Sequence, residues 1–145
     1  MCWNCYKSEC LKPITAESDV KVFKIALKLD NHAAVPYYMS GTGIIYRVGL
    51  TYEAEIGSPG LTGRISEGLH CYSQLQCGVT KTQYRFIDVY NLTLHGNIAV
   101  YADDLIVILH CIIPKGATYY LNDIGEIVTE KLIVKSISKP SDVLV

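Results

Sequence analysis

The last third of the chain contains the pattern that most restricts its fold. An apolar run from Leu105 to Ile113 is followed by a turn at 114–116 and a short stretch with two adjacent tyrosines. A second turn at 122–125 leads into the run from Glu126 to Val134. Apolar, β-branched runs of this length, bounded by turn residues, are typical of strands. The pattern predicts two strands joined by a polar, tyrosine-bearing connection.

Short β-type segments separated by glycine, proline and asparagine continue through the rest of the chain. In Val20–Leu29 the alternation slips around Lys24, which predicts a strand with a bulge. No stretch keeps the apolar stripe of a helix. We predict a mainly β fold with little helix (α+β at most), in a single compact sheet-dominated domain over residues 20–138. Residues 1–19 are predicted to form a cysteine-rich arm, and residues 139–145 a frayed tail.

Composition excludes several classes of protein. Half of the 145 residues are hydrophobic and 19% are charged, which is unlike a disordered chain. The 13 basic and 14 acidic residues give no net positive field, so a nucleic-acid partner is not expected. The longest apolar run has nine residues, whereas a membrane-spanning helix needs about 20. The first residues do not resemble a secretory signal, and we expect a cytoplasmic protein without a membrane partner.

Three of the six cysteines crowd the N-terminus. Cys2 and Cys5 have the spacing of zinc ligands, and Cys10 is near enough in sequence to add a third thiolate. No second close pair completes the set, and a cysteine-bearing arm without metal explains the same residues. We predict no metal and no cofactor, with Cys2, Cys5 and Cys10 kept as weak zinc candidates. An even number of cysteines does not predict disulfides in a reducing cytoplasm.

The search for catalytic motifs is mostly negative. The sequence contains no phosphate-binding glycine loop, no His-Glu-x-x-His motif and no Gly-x-Ser-x-Gly elbow. His70 and Cys71 are adjacent, and neighbours on a strand point to opposite faces. Glu126 and Glu130 would lie about 13 Å apart on a strand, too far for joint acid–base work, and are interpreted as a solvated face. The sequence therefore favours a binding protein over an enzyme.

Tyrosine is unusually frequent, with eleven residues against two phenylalanines. Its large ring and polar tip suit binding surfaces, although tyrosines at the edges of a β core explain the same count. Two tyrosine pairs lie beside predicted turns, and nearby cationic residues are suited to an anion or a stacked base. The candidate ligand-binding residues are Tyr37, Tyr38, Arg64, His70, Tyr72, Lys115, Tyr119 and Tyr120.

Four ordered segments carry a resemblance to a family. They are the run 44–52, the Glu-Gly-Leu-His-Cys-Tyr motif at 67–72, Cys-Ile-Ile-Pro-Lys-Gly-Ala-Thr-Tyr-Tyr at 111–120, and Gly-Glu-Ile-Val-Thr-Glu-Lys-Leu-Ile-Val at 125–134. In this order they resemble small accessory proteins of bacteriophages and prophages of gut bacteria. The resemblance implies a phage or mobile-element protein that works in the host bacterial cell, and it supplies no catalytic residues.

Three functional hypotheses follow. The first is a binding protein that counters host defence, either by sequestering a small anionic ligand such as a nucleotide or by blocking a host defence protein. The second is a small enzyme acting on nucleotides or ADP-ribose, using His70 with Tyr72 or Glu126. The third is an oligomeric structural or scaffolding protein, and a homo-oligomer is expected under the first hypothesis as well.

Overall fold

The computed structural model describes residues 3–5, 7–36, 44–74, 106–139 and 142. Strands dominate these ranges, and two 3-10 turns span Ser8–Leu11 and Gly60–Thr62. The predicted mainly β fold is confirmed. The described strands are β1 (Trp3–Asn4), β2 (Ile14–Thr15), β3 (Val20–Lys28), β4 (Ala33–Pro36), β5 (Tyr46–Arg47), β6 (Thr51–Glu53), β7 (Arg64–Ile65), β8 (Leu69–Tyr72), β9 (Ile106–Ile113), β10 (Thr118–Leu121), β11 (Glu126–Thr129) and β12 (Lys131–Ser138).

The strands form one large sheet and one small ribbon. The large sheet has ten strands, with the main order β2-β10-β11-β8-β3-β9-β12-β6, and β4 and β5 extend from β3 beside this path. The ribbon consists of β1 and β7. All described strand pairs are antiparallel. Side chains therefore alternate between two faces along each strand.

β3 changes its partner half-way along one edge. Phe23 pairs with Tyr72 of β8, whereas from Ala26 onward the same edge pairs with β4. The opposite edge follows β9 in continuous register over residues 20–27, so the bulge predicted in this strand is wrong. The alternation slips because Lys24 lies on the apolar core face of the strand.

The run from Glu126 to Val134 is two strands rather than the single strand predicted. β11 and β12 are joined only by Glu130, yet three strands separate them in the sheet order. Four steps across a flat sheet would cover about 19 Å, whereas the one-residue link spans at most about 7 Å. The sheet therefore bends at Glu130, as at the corners of orthogonal packings. The predicted connection also contributes a strand of its own, β10.

The bend at Glu130 is fixed by bonds to β10. The Glu130 Oε1 accepts a hydrogen bond from the Thr118 N–H at 2.9 Å, and the Glu130 N–H donates to the Thr118 carbonyl at 3.2 Å. From the sequence, Glu126 and Glu130 are interpreted as a solvated face. This interpretation is wrong for Glu126, which is only 3% exposed. Both side chains are used inside the fold.

Two apolar clusters lie on opposite faces of the sheet. The main core contains Val22, Leu109 and Cys111 together with residues of β8, β11 and β12. The second cluster contains Trp3, Cys5, Cys10, Ile65 and Val128. Alternation along β11 explains the division, because Ile127 belongs to the main core and Val128 to the second cluster.

The cysteine-rich arm is built into both sheets. β1 pairs with β7, and β2 pairs with β10 at one edge of the large sheet. The remaining strands of the large sheet run from β3, which begins at Val20, to β12, which ends at Ser138. The arm therefore folds together with the sheet-dominated domain, because Trp3 supplies its second cluster.

Candidate functional site

The predicted ligand-binding residues do not form one site. Tyr37 and Tyr38 lie outside the described residues. Arg64 is exposed on β7, and Lys115 is exposed in the turn before β10, where its N–H donates to Asp19 Oδ1 at 3.0 Å. Arg64 belongs to the β1–β7 ribbon and Lys115 to the turn before β10 of the large sheet, so the two cations lie on different elements.

The tyrosine pair on β10 is divided between the two faces. Tyr119 packs against the main core and Tyr120 against the second cluster. Tyr120 pairs with Val128 on β11, and Val128 pairs with His70 on β8, so these residues form one row across three strands. Tyr72 lies two residues beyond His70 on the same face. The structure thus brings together His70, Tyr72 and Tyr120 of the eight candidates.

This shared face is covered by the N-terminal arm. Trp3 is 0% exposed, and its ring centre lies 5.7 Å from that of Tyr120. The Trp3 Nε1–H donates to the Glu126 carbonyl at 3.0 Å. At the start of the Glu-Gly-Leu-His motif, the backbone of Gly68 lies close to the Val128 side chain. A Cβ at Gly68 would overlap that side chain. We call the face of His70, Tyr72 and Tyr120 beneath Trp3 the sealed face.

Asn122 joins the arm to the sealed face. Its Oδ1 accepts hydrogen bonds from the N–H groups of Ile124 and Glu126, at 3.2 and 2.8 Å. Its Nδ2 donates to the Asn4 carbonyl at 2.9 Å and to Glu126 Oε1 at 3.1 Å. Asn122 is buried, and four bonds satisfy its amide. These bonds tie a turn, a strand and the arm into one polar network.

His70 carries the imidazole of the sealed face. Burial lowers the pKa of its imidazole, and the neutral ring is favoured. Its Nε2 lies 3.1 Å from the Ser66 carbonyl, which only accepts, so Nε2 carries the hydrogen. Nδ1 is buried and has no partner among the described groups. Tyr72 and Glu126, the residues paired with His70 in the enzyme hypothesis, share this face but are buried.

The N-terminal cysteines form a covalent link. Cys5 and Cys10 are joined in a disulfide, so their sulfurs do not serve as zinc thiolates while the bond is intact. Cys2 lies outside the described residues. Within the described ranges, no group of three or more His, Cys, Asp or Glu side chains has metal-site geometry. The disulfide between the closely spaced Cys5 and Cys10 closes a short loop of the arm beside Trp3.

One buried lysine, Lys24, lies where β3 changes its partner from β8 to β4, a point that we call the fork. The sequence reasoning did not assign this lysine a role. The Lys24 Nζ donates to the His70 carbonyl at 2.6 Å, beside the point where β8 separates from β3. Burial lowers the pKa of this amine, with smaller opposing effects from Cys71 and Cys111. Burial also raises the pKa of the Cys111 thiol to about 12 and raises that of Cys71. Burial at the fork thus favours the neutral form of each of these groups.

The Tyr46 ring provides an opposing interaction at this amine. The Lys24 Nζ lies 5.2 Å from the ring centre, a cation–π geometry that favours the ammonium. Desolvation still lowers the pKa of Lys24 overall. The described ion pairs, which would oppose this shift, do not include Lys24. A single lysine within an apolar alternation is the signal that would have located the fork.

The open edge of the large sheet has the opposite character. β6 pairs with β12 on one side, and no described strand pairs with its other side. The segment leading into β6, which turns at 47–50, exposes three large apolar side chains, Ile45 (40%), Val48 (41%) and Leu50 (49%). Thr51 and Glu53 of β6 are exposed too. We call β6 with Ile45, Val48 and Leu50 the open edge.

The open edge ends in an acidic groove of about 630 Å³. It is lined by Glu53, Ala54, Glu55, Glu130 and Lys131. Lys131 Nζ lies 3.2 Å from Glu53 Oε1, and both side chains are substantially exposed. Among the described lining residues, three are glutamates and one is a lysine, so this part of the lining favours cations over phosphates. The sequence reasoning placed these glutamates on no site, because their meeting depends on the bend at Glu130.

Comparison with known proteins gives no match: no family model, no curated protein and no solved structure is similar to this chain. Among the described residues, no helix has both the length and the apolar character required to cross a membrane.

Proposed function

We propose that the protein is a non-catalytic binding protein, a phage or mobile-element accessory factor that blocks a host defence protein. The observation that carries the proposal is the open edge, where an exposed strand lies beside exposed Val48 and Leu50. Edge strands offer main-chain groups for pairing, and neighbouring apolar side chains add contact area. The resemblance to small phage proteins supports the biological setting.

Two observations favour a protein partner over a nucleotide. Arg64 and Lys115 lie on different elements, and the described lining of the groove beside β6 consists mainly of glutamates. Phosphates would meet like charge there. On the sealed face, Tyr120 packs against Trp3 and Tyr72 is buried, so these rings are used in internal packing. The proposal therefore selects the protein-blocking form of the binding hypothesis.

The proposal places the protein in the cytoplasm of the host bacterium. Cytoplasmic thiols are usually kept reduced, so the proposal does not depend on the buried Cys5–Cys10 link. Trp3 and the Asn122 network still hold the arm when the thiols are reduced. Self-association of two copies at the open edge is the competing use of that surface.

A plaque assay tests the proposed function. The protein is expressed in bacteria that each carry one cloned phage-defence system, and the efficiency of plating is measured. We expect plating to recover against at least one system, and Thr51→Pro to abolish the recovery. Lys115→Ala is the matched control, because Lys115 is exposed but distant in sequence from the open edge.

The contrary results are distinct. No recovery against any system contradicts the proposed function. Recovery that survives Thr51→Pro but is lost in His70→Ala, together with heat release in calorimetry with cyclic or ADP-ribose nucleotides, would favour the sequestration hypothesis instead. A dimer in analytical ultracentrifugation that Thr51→Pro dissolves would assign the open edge to self-association.

A further inference from the structure

We infer that the open edge binds an extended, basic segment of its partner, which joins the large sheet as an additional strand beside β6. This inference rests on the proposed function and names the chemistry of the partner. The main-chain hydrogen bonds of β6, the charge of the groove and the exposed apolar side chains before β6 support it.

The hydrogen bonds to β12 determine which groups of β6 point outward. The Gly49 N–H donates to the Val134 carbonyl, the Val134 N–H to the Leu50 carbonyl, and the Ala54 N–H to the Glu130 carbonyl. In an antiparallel ladder, residues alternate between bonding inward and pointing away. Residues 50, 52 and 54 therefore bond to β12 or its lead-in, and the N–H and C=O groups of Thr51 and Glu53 face outward.

The outward groups set the length and form of the segment. Two residues that lie two positions apart are separated by about 6.8 Å along a strand. An added strand of four or five residues bonds to both, and its side chains alternate between the two faces. Strand addition of this kind takes affinity from the main chain and specificity from alternate side chains.

Charge selects the side chains of that segment. Glu53 and Glu55 are exposed and two residues apart, and both line the groove. The Glu53–Lys131 pair is exposed and therefore weak, so a lysine or arginine of the partner can replace Lys131 at Glu53. Basic residues at alternate positions match this arrangement, and Leu50 accepts an apolar neighbour.

Charge also distinguishes this partner from a second copy of the chain. A second copy would bring its own Glu53 and Glu55 to the same edge. The two edges would then meet with the same sign of charge, which disfavours association. A basic segment gives the complementary contact.

Fluorescence anisotropy with synthetic peptides tests the inference. The probes are labelled, capped peptides of alternating valine and lysine, the same peptides with glutamate for lysine, and lysine peptides N-methylated at alternate residues. We expect the lysine peptide to bind roughly tenfold more tightly than the glutamate peptide, as two exposed ion pairs allow. N-methylation in one of the two alternate registers abolishes binding, because it removes the N–H groups that face β6.

Protein variants complete the test. Glu53→Gln with Glu55→Gln lowers the affinity for the lysine peptide by roughly threefold to tenfold. Glu67→Gln, an exposed carboxylate outside the groove, leaves the affinity unchanged. Equal binding of lysine and glutamate peptides, or indifference to N-methylation in both registers, overturns the inference.

The two proposals fail separately. If the peptides do not discriminate while plating still recovers in a Thr51-dependent way, the partner chemistry is wrong and the proposed function stands. If the lysine peptide binds as expected but no defence system is blocked, the edge binds basic strands and the proposed function is wrong.

Discussion

The sealed face and the open edge use similar residues in opposite ways. On the sealed face, Trp3 and Asn122 satisfy polar groups of the arm and of β11 within the chain. At the open edge, the outward main-chain groups of Thr51 and Glu53 have no strand beside them among the described residues. The polar residues that stand out in the sequence serve mainly for stability, whereas binding capacity lies on an inconspicuous three-residue strand.

Physical chemistry explains this division. A buried donor or acceptor left unpaired costs about 1–3 kcal/mol, so polar residues under the arm must be bonded internally. Exposed main-chain groups at a sheet edge bond to water and exchange it for a partner strand at little cost. Substitutions should therefore affect stability on the sealed face and binding at the open edge.

The largest effect is expected for Trp3→Ala. The substitution removes a fully buried indole and the bond to the Glu126 carbonyl, and it should lower the free energy of unfolding by about 3–5 kcal/mol. Urea denaturation followed by circular dichroism measures the change. Trp3→Phe is the control, because it keeps much of the packing and loses only the donor. A loss below about 1 kcal/mol for Trp3→Ala would mean that the arm does not seal this face.

A smaller effect is expected from reducing the Cys5–Cys10 disulfide. Closing so short a loop stabilises the fold by about 2 kcal/mol in the chain-entropy account. Thermal unfolding with and without a thiol reductant should show this difference in the wild type. The double variant Cys5→Ser/Cys10→Ser should be insensitive to the reductant. Equal unfolding of the wild type in both conditions would show that Trp3 and Asn122 alone fasten the arm.

The buried amine at the fork predicts a pH dependence. Burial lowers the pKa of Lys24 in the folded state, so the unfolded chain binds more protons between that pKa and the ordinary value of 10.5. The contribution of Lys24 to the free energy of unfolding is therefore present above this pH range and is lost as the pH falls through it. Denaturation at a series of pH values below 9.0 should show stability rising more steeply with pH in the wild type than in Lys24→Met.

The thiols at the fork work in the opposite sense. Their raised pKa values lower stability as the pH rises above the ordinary thiol value, so the comparison is made below pH 9.0. Lys21→Met removes an exposed lysine from the same strand and should retain the wild-type slope. Parallel slopes in the wild type and Lys24→Met would show that the amine is charged in the fold.

The smallest effect on stability is expected at the open edge. Thr51→Pro removes an outward N–H without breaking a bond to β12, and proline is tolerated on edge strands. The free energy of unfolding should stay within about 0.5 kcal/mol of the wild type, while binding of the lysine peptide is lost. Thr51→Ala keeps the N–H and should bind normally. Wild-type peptide binding by Thr51→Pro would show that the outward groups of β6 are not used.

Part of this fold could be predicted from residue patterns alone. Apolar runs such as Leu105–Ile113 indicate strands because β-branched side chains suit a pleated surface, whatever the neighbouring strand. The partner of each strand could not be predicted. Glu126–Val134 looks like one continuous strand, and only the contacts of Glu130 with Thr118 bend it into two.

The candidate site was less predictable than the fold. His70, Tyr72 and Tyr120 share a face, which follows from strand alternation once β8, β11 and β10 are known to be neighbours. The arm covers this face through Trp3, and the composition of the chain does not predict where Trp3 packs. The disulfide was likewise not foreseen, because the spacing of Cys5 and Cys10 suits both metal binding and a covalent link.

By itself, the sequence determined that this chain is built from short strands with little helix, since local side-chain preferences and turn residues act within a few positions. The tertiary structure alone decided that β11 and β12 part at Glu130, that Trp3 seals the face carrying His70, and that β6 remains at an edge. These features depend on contacts between residues far apart in the chain, such as Trp3 with Glu126. Burial and strand order arise from the whole fold, so no local pattern encodes them.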